Sequence, residues 1–320
     1  MIKKLMKPKK GFSLPELLIA IVVFLIVGLI TLNLLSDFIS FFVSDDEQVL
    51  ARQRGMDVIK VLEVPILHSA LGIPANIPGD TYRQDVFQRT FPAATNAPFR
   101  NWGSPLSISG SKNDDLRILY GKASGVFQLD ENKDAFSINP LEETLRLSEP
   151  LSALNVSLDA PGRTNGWITF PGQMLPVTIK SGLGTDEPVV QAYRESIQTA
   201  KYSEKINAFN EVIYLQARRA WVDNDNVFHL MEVISSDAQG TGPDLTLPGV
   251  MRIRFARVEN NHILSMDVLT RGDSRDPGRI QKLKNTRPDL VSRWSITDDE
   301  AEFVLEETSM QWRIRNYETQ

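Results

Sequence analysis

The stretch from Phe12 to Leu35 constrains this chain more than any other, because within it only Ser13, Glu16, Thr31 and Asn33 carry polar side chains. At a rise of about 1.5 Å per residue, a helix of this length crosses a hydrocarbon layer of roughly 30 Å. Lys3, Lys4, Lys7, Lys9 and Lys10 precede it with no acid among residues 1–11. That bias keeps the N-terminus in the cytoplasm and sends the rest across. No small-residue cleavage site follows Leu35, so the apolar segment is expected to stay as an anchor. Glu16 is the anomaly, since a carboxylate in hydrocarbon costs on the order of 3 kcal/mol or more and usually persists for a function. The alternative is a charge at headgroup level in the helix's first turn, where the dipole favours it.

The apolar run continues without a turn signal. Leu35, Phe42, Val49 and Met56 recur every seven residues, with Phe38, Ile39, Leu50 and Ile59 beside them, while Asp37, Asp45, Asp46, Arg52, Asp57 and Lys60 fall largely elsewhere. The period predicts one helix over residues 12–64, with its transmembrane half at 12–35 and an amphipathic half packed on a globular head. Gly28 and Gly55 are candidate bends, and Val64-Pro65 or Gly72-Ile73-Pro74 should end the helix. Its length of about 80 Å far exceeds what a single domain needs.

The residues around the start of this helix carry a resemblance. Lys10-Gly11-Phe12-Ser13-Leu14-Pro15-Glu16 before an apolar helix resembles the signal of type IV pilins and type II secretion pseudopilins. The resemblance implies that a prepilin peptidase removes residues 1–11 by cutting after Gly11 and then methylates Phe12. It also implies that Glu16 aids assembly by pairing with a neighbouring subunit's N-terminal amine. The expected location is the bacterial inner membrane, with the head outside the cytoplasm, and then a filament or the cell surface. Pro15 fits on physical grounds too, because an amide in a helix's first turn has no intrahelical partner to lose.

Beyond the helix, residues 72–113 are rich in Pro, Gly, Asn and Ser and read as irregular connection. Then β-branched and alternating runs begin: Leu116 to Tyr120, Gly125 to Leu129, Trp167 to Phe170 and Val177 to Lys180. Two hairpins are clearer. Val212 to Val222 and Val227 to Ile234 flank Asp223-Asn224-Asp225-Asn226, and Met251 to Val258 and Ile263 to Arg271 flank Glu259-Asn260-Asn261-His262. In the second, Met251, Ile253 and Phe255 are expected on one face and Arg252 and Arg254 on a solvated one. Residues 191–208 are a candidate short helix. The chain closes on an alternating strand, Met310-Gln311-Trp312-Arg313-Ile314-Arg315-Asn316, whose arginine-rich ending resembles PilW-type minor pilins and, more distantly, the J-type minor pseudopilin. The fold class is therefore α+β, a long N-terminal helix on a mainly antiparallel β head spanning residues 65–320.

There are no cysteines, which excludes a disulfide framework. Removing residues 1–11 leaves about 30 basic residues against 40 acidic ones, and this acidity argues against nucleic acid as a general partner. Arg271 to Arg293 is the exception, with Arg271, Arg275, Arg279, Lys282, Lys284, Arg287 and Arg293 against three aspartates; it reads as a solvated loop or as a contact for DNA or another acidic surface. His68, His229 and His262 are scattered and fit no catalytic or ligand spacing. Asp223 to Asn226 and Asp130 to Asp134 are oxygen-rich but lack the glycine and closing glutamate of a calcium loop, and hairpin turns account for them better. Gly182-Leu183-Gly184 makes a poor phosphate loop. No enzyme activity, cofactor or metal is expected. Partners are expected to be other minor and major pilins through the N-terminal helix, the prepilin peptidase and the inner membrane. The assignment is a minor pilin or pseudopilin subunit at a filament tip or initiation complex; the competing one is a single-pass anchored binding or adhesive domain outside any filament.

Overall fold

A computed structural model describes residues 13–71, 73, 102–129, 133–134, 142–151, 167–170, 173–182, 184–191, 205–206, 209–233, 244–258 and 263–314. One helix, α1 (Leu14–Leu67), precedes a β-rich head. It starts at Leu14, two residues inside the expected range of 12–64, with Ser13 as N-cap and Pro15 in the first turn. It runs through Pro65 and stops at His68, later than the expected end at Val64. Pro65 is itself buried, so packing one further turn onto the head offsets the lost intrahelical bond.

The first sheet holds β1 (Leu106–Ser109), β2 (Asp115–Phe127), β4 (Glu142–Thr144), β5 (Trp167–Phe170), β6 (Gln173–Ser181), β7 (Val189–Gln191), β9 (Glu211–Val222), β10 (Val227–Glu232) and β11 (Asp244–Pro248). Strand β9 organises it. One edge of β9 pairs with β2; the other is shared by β10 along Arg218 to Val222 and by β5 at Ile213 and Tyr214. The second sheet is β12 (Val250–Val258), β13 (Ile263–Arg271) and β14 (Leu305–Arg313), all antiparallel. A two-stranded pair, β3 (Lys133–Asp134) with β8 (Lys205–Ile206), completes the strands among the described residues.

Both hairpins form within a residue or two of their expected limits, although the Glu259 to His262 turn lies outside the described residues. The Asp223 turn is a hairpin loop: Asn226 is left-handed at φ 60°, and Asp223 Oδ1 accepts from the amides of Asp225 and Val227 at 2.9 Å each. Three expectations need correction. β1 lies inside the supposed irregular connection, held by its ladder to β2. The described ends of the candidate helix 191–208 are strand, Gln191 in β7 and Lys205–Ile206 in β8, each with a ladder partner. Arg271 to Arg293 is loop only over residues 272–278; Arg271 ends β13, and the rest is helical, α2 (Arg279–Thr286) and α3 (Pro288–Trp294), followed by α4 (Asp298–Ala301).

Those three helices also change the second sheet. A bulge between Val250 and Arg252 turns Met251 away from Ile253 and Phe255, and it packs instead with Leu269, Leu290, Trp294, Phe303 and Leu305. The arginine face is consequently covered. Arg252 donates to Trp294 O at 2.8 Å and to Glu300 Oε1 at 2.6 Å, and Arg254 lies 4.5 Å from the Trp294 ring centroid. The opposite face, with Ile253, Phe255, Leu264, Met266, Val268 and Trp312, meets α1 and the first sheet in the main core.

The buried stripe of α1 is Ala51, Gly55, Val58, Ile59, Leu62, Pro65 and Ile66. Gly55 serves close approach: a Cβ there would lie 2.4 Å from Oγ1 of Thr308 on β14. Overpacking a well-filled contact costs about 1–3 kcal/mol. Gly55→Val should therefore lower the thermal midpoint of the full chain in detergent, and Thr308→Ala should recover part of that loss; a Gly55→Val midpoint equal to the parent's would mean the helix does not dock here.

Candidate functional site

The N-terminal helix is the site to which the sequence points, and its geometry divides into three parts. At its start, Glu16 stands in the first turn and its Oε2 accepts from both the amide and the hydroxyl of Ser13 at 2.9 Å. Ser13 and Glu16 thus occupy the N-cap and N3 places of a capping box, which satisfies amides that have no intrahelical acceptor. Gly11 and Phe12 lie outside the described residues.

The middle part is bare. From Leu14 to Val43 the large apolar side chains stay exposed, and the segment is long and apolar enough to cross a membrane. Glu16 and Asp37 bracket a run without any charge. Their separation along the helix is about 31 Å, close to the roughly 30 Å of a hydrocarbon core. Of the polar residues inside, Thr31 returns its hydroxyl to Val27 O at 2.8 Å, which removes a donor that lipid cannot satisfy.

The third part is a polar clasp where α1 meets the head. Glu47 accepts from the amides of Asp273 and Ser274 and, at 2.5 Å, from the Ser274 hydroxyl. Burial works to raise the Glu47 pKa, but these donors outweigh it and hold the carboxyl below its ordinary value of 4.5. Two turns on, Arg54 donates to Arg271 O at 2.7 Å and to Asp273 Oδ1 at 2.8 Å. Sequence reasoning missed this clasp, because its partners lie more than 200 residues apart and no local pattern links them.

Residues 6–32 match the family model for the prokaryotic N-terminal methylation motif. The chain carries a type IV pilin-like prepilin signal. No curated protein and no solved structure matches it. The motif and α1 together fit a single-pass, membrane-anchored protein.

The remaining sequence candidates separate. Arg271 to Arg293 does not present free positive charge as a block. Arg271 and Arg275 lie over Phe303, Arg279 pairs with Asp276 at 3.3 Å, Lys284 with Asp298 at 2.6 Å, and Arg293 with Asp267 and Glu307 at 2.8 Å each. Gly182 and Gly184 are turn glycines at φ 75° and 91°. Asp134 lies in β3, and Asp130 is outside the described residues. His68 ends α1, and His262 is outside the described residues. His229 stacks on its cross-strand neighbour Trp221, ring centroids 4.8 Å apart, with its ring nitrogens 2.7 Å from Asp244 Oδ2 and 3.0 Å from Asp223 Oδ2. It ties β10 to β11 and to the hairpin turn.

Burial opposes a charge on His229, but the two carboxylates outweigh it and raise its pKa above 6.5. A folded-state pKa above the unfolded one stabilises the fold below the unfolded value, and the gain disappears as pH climbs through the folded value. His229→Gln should therefore cost more thermal stability at pH 6 than at pH 9; an equal cost at both would show that the charge contributes nothing.

Proposed function

We propose that this chain is a prepilin whose mature form is a minor subunit of a type IV pilus or related filament. In this reading a prepilin peptidase removes residues 1–11 by cutting between Gly11 and Phe12, and methylates Phe12. Residues 12–64, with the transmembrane half at 12–35, then pack in the filament core, and residues 65–320 form the head that caps or initiates assembly. Glu16 exchanges its own Ser13 donors for a neighbour's N-terminal amine, which neutralises both charges in an apolar surrounding.

One observation beyond the signal carries the reading. α1 has a second apolar stripe that the head leaves exposed: Leu35, Phe42, Val49 and Met56 are 55%, 62%, 57% and 46% exposed. At about 100° per residue, Met56 and the buried Val58 point to nearly opposite sides of the helix. A lone anchor needs no apolar stripe beyond the bilayer, whereas helices bundled in a filament bury one there. The size of the chain and the elaborated head support a minor rather than a repeating subunit.

Intact mass and N-terminal sequence of the membrane fraction, with and without a prepilin peptidase, test the first step. The expected product begins at methylated Phe12 only when the peptidase is present; retention of Met1 to Gly11 in both cases removes the main support. Glu16→Ala should leave membrane insertion unchanged and reduce incorporation into sheared filaments severalfold. Undiminished incorporation would reassign Glu16 to helix capping alone, and absence of the parent chain from filaments would favour an anchored binding domain.

A further inference from the structure

Just above the charge-free run, α1 and the start of α2 face each other across a polar cleft of about 380 Å³. Asp37, Ser40 and Asp45 line one wall, and Asp276, Arg279 and Lys282 line the other. The two walls therefore carry opposite net charge, and although Arg279 also acts on the Glu47 carboxylate of α1, no ion pair among the described residues joins the lining side chains across the cleft. Among the described residues Asp37, Asp45 and Lys282 make no ion pair. Arg279 directs Nε to Asp276 at 3.3 Å, which leaves its Nη1 buried without a hydrogen-bond partner. An orphaned donor of this kind is costly unless something occupies the site.

The position of the cleft selects what that occupant is. With Glu16 and Asp37 at the two hydrocarbon boundaries, Asp37 is at the outer surface of the core, and Ser40 and Asp45 lie about 5 and 12 Å further along the helix. The headgroup layer on each side of a bilayer is about 5–7 Å thick. The Asp37–Ser40 end of the cleft lies at that depth, and its wall continues outward to Asp45 and Gln48.

We propose that this cleft seats the headgroup of a zwitterionic phospholipid bearing a primary ammonium, phosphoethanolamine in chemical class. The phosphate lies against Arg279 and Lys282, whose N–H groups form charge-assisted bonds to its oxygens, and the ammonium lies against the acidic α1 wall that carries Asp37 and Asp45. A trimethylammonium headgroup has no N–H to donate to those carboxylates, and a glycerol headgroup brings no cation, so both fit less well. The site rests on the reading of residues 12–35 as the transmembrane half. Leaving the bilayer for a filament then requires release of the lipid.

The test uses the full chain in nanodiscs of phosphatidylcholine containing equal parts of phosphatidylethanolamine and phosphatidylglycerol, with retained lipid counted by native mass spectrometry. Phosphatidylethanolamine should be retained in preference to both others. Lys282→Glu, at an exposed position without an ion pair, should reduce that retention severalfold, and Asp45→Asn should shift selection towards phosphatidylglycerol. Equal retention of all three lipids, a preference for phosphatidylglycerol in the parent chain, or parent-level retention in Lys282→Glu each overturns the proposal. Alkaline carbonate extraction separates the two levels: a chain that washes out of membranes overturns the spanning reading together with the site, whereas an inserted chain without lipid selectivity overturns the site alone.

Discussion

The packing of Val58, Ile59, Leu62 and Ile66 between the two sheets is the contact on which the rest of the head depends. These side chains touch a core that includes Leu116 and Ile118 of β2, Phe255 of β12, Met266 and Val268 of β13, and Trp312 of β14. Fully burying an aliphatic side chain contributes roughly 1.5–3 kcal/mol, so the four together contribute about 6–12 kcal/mol. That is comparable to the entire net stability of a typical domain, about 5–15 kcal/mol. The distal half of α1 is therefore part of the head's core, and the helix cannot swing free of it while the head stays folded.

A rigid junction has a consequence for the other end of the helix. Since Glu47, Gln48 and Arg54 fix the exit of α1 through bonds to Ser274, Glu306 and Asp273, the apolar half leaves the head in one direction. The orientation of the head relative to the apolar half of α1 follows from that direction. The basic helices α2 and α3 are turned to structural use by the same arrangement. Most of their cations are held by carboxylates of the head, and the start of α2 lines one cleft with α1 just beyond its charge-free run.

The first sheet shows a similar economy across its strands. Asp115 on β2 receives Arg219 of β9 in a bidentate pair at 2.9–3.1 Å, Arg219 lies 4.7 Å from the Trp221 ring centroid, and Trp221 stacks on His229 of β10, which reaches Asp244 of β11. Side chains on one face of neighbouring strands are within reach of one another, so a single ladder of polar and aromatic contacts joins four strands.

What the sequence by itself determined is whatever neighbours within a turn or two decide. The charge-free run after Glu16, the existence of one long helix and the Asp223 hairpin all depend on spacings of two to seven residues, and each stands as expected. Choices between distant partners were decided only in the tertiary structure. The heptad of Phe42, Val49 and Met56 is apolar enough to be a core face, but the head took the stripe through Ala51, Val58 and Ile59, because Gly55 on that side lets β14 approach. Arg252 and Arg254 read as solvated, but a one-residue bulge and three short helices covered them. Neither the bulge nor the Glu47 clasp has a local signature, since both come from the fit of segments that meet only after the chain has folded back on itself.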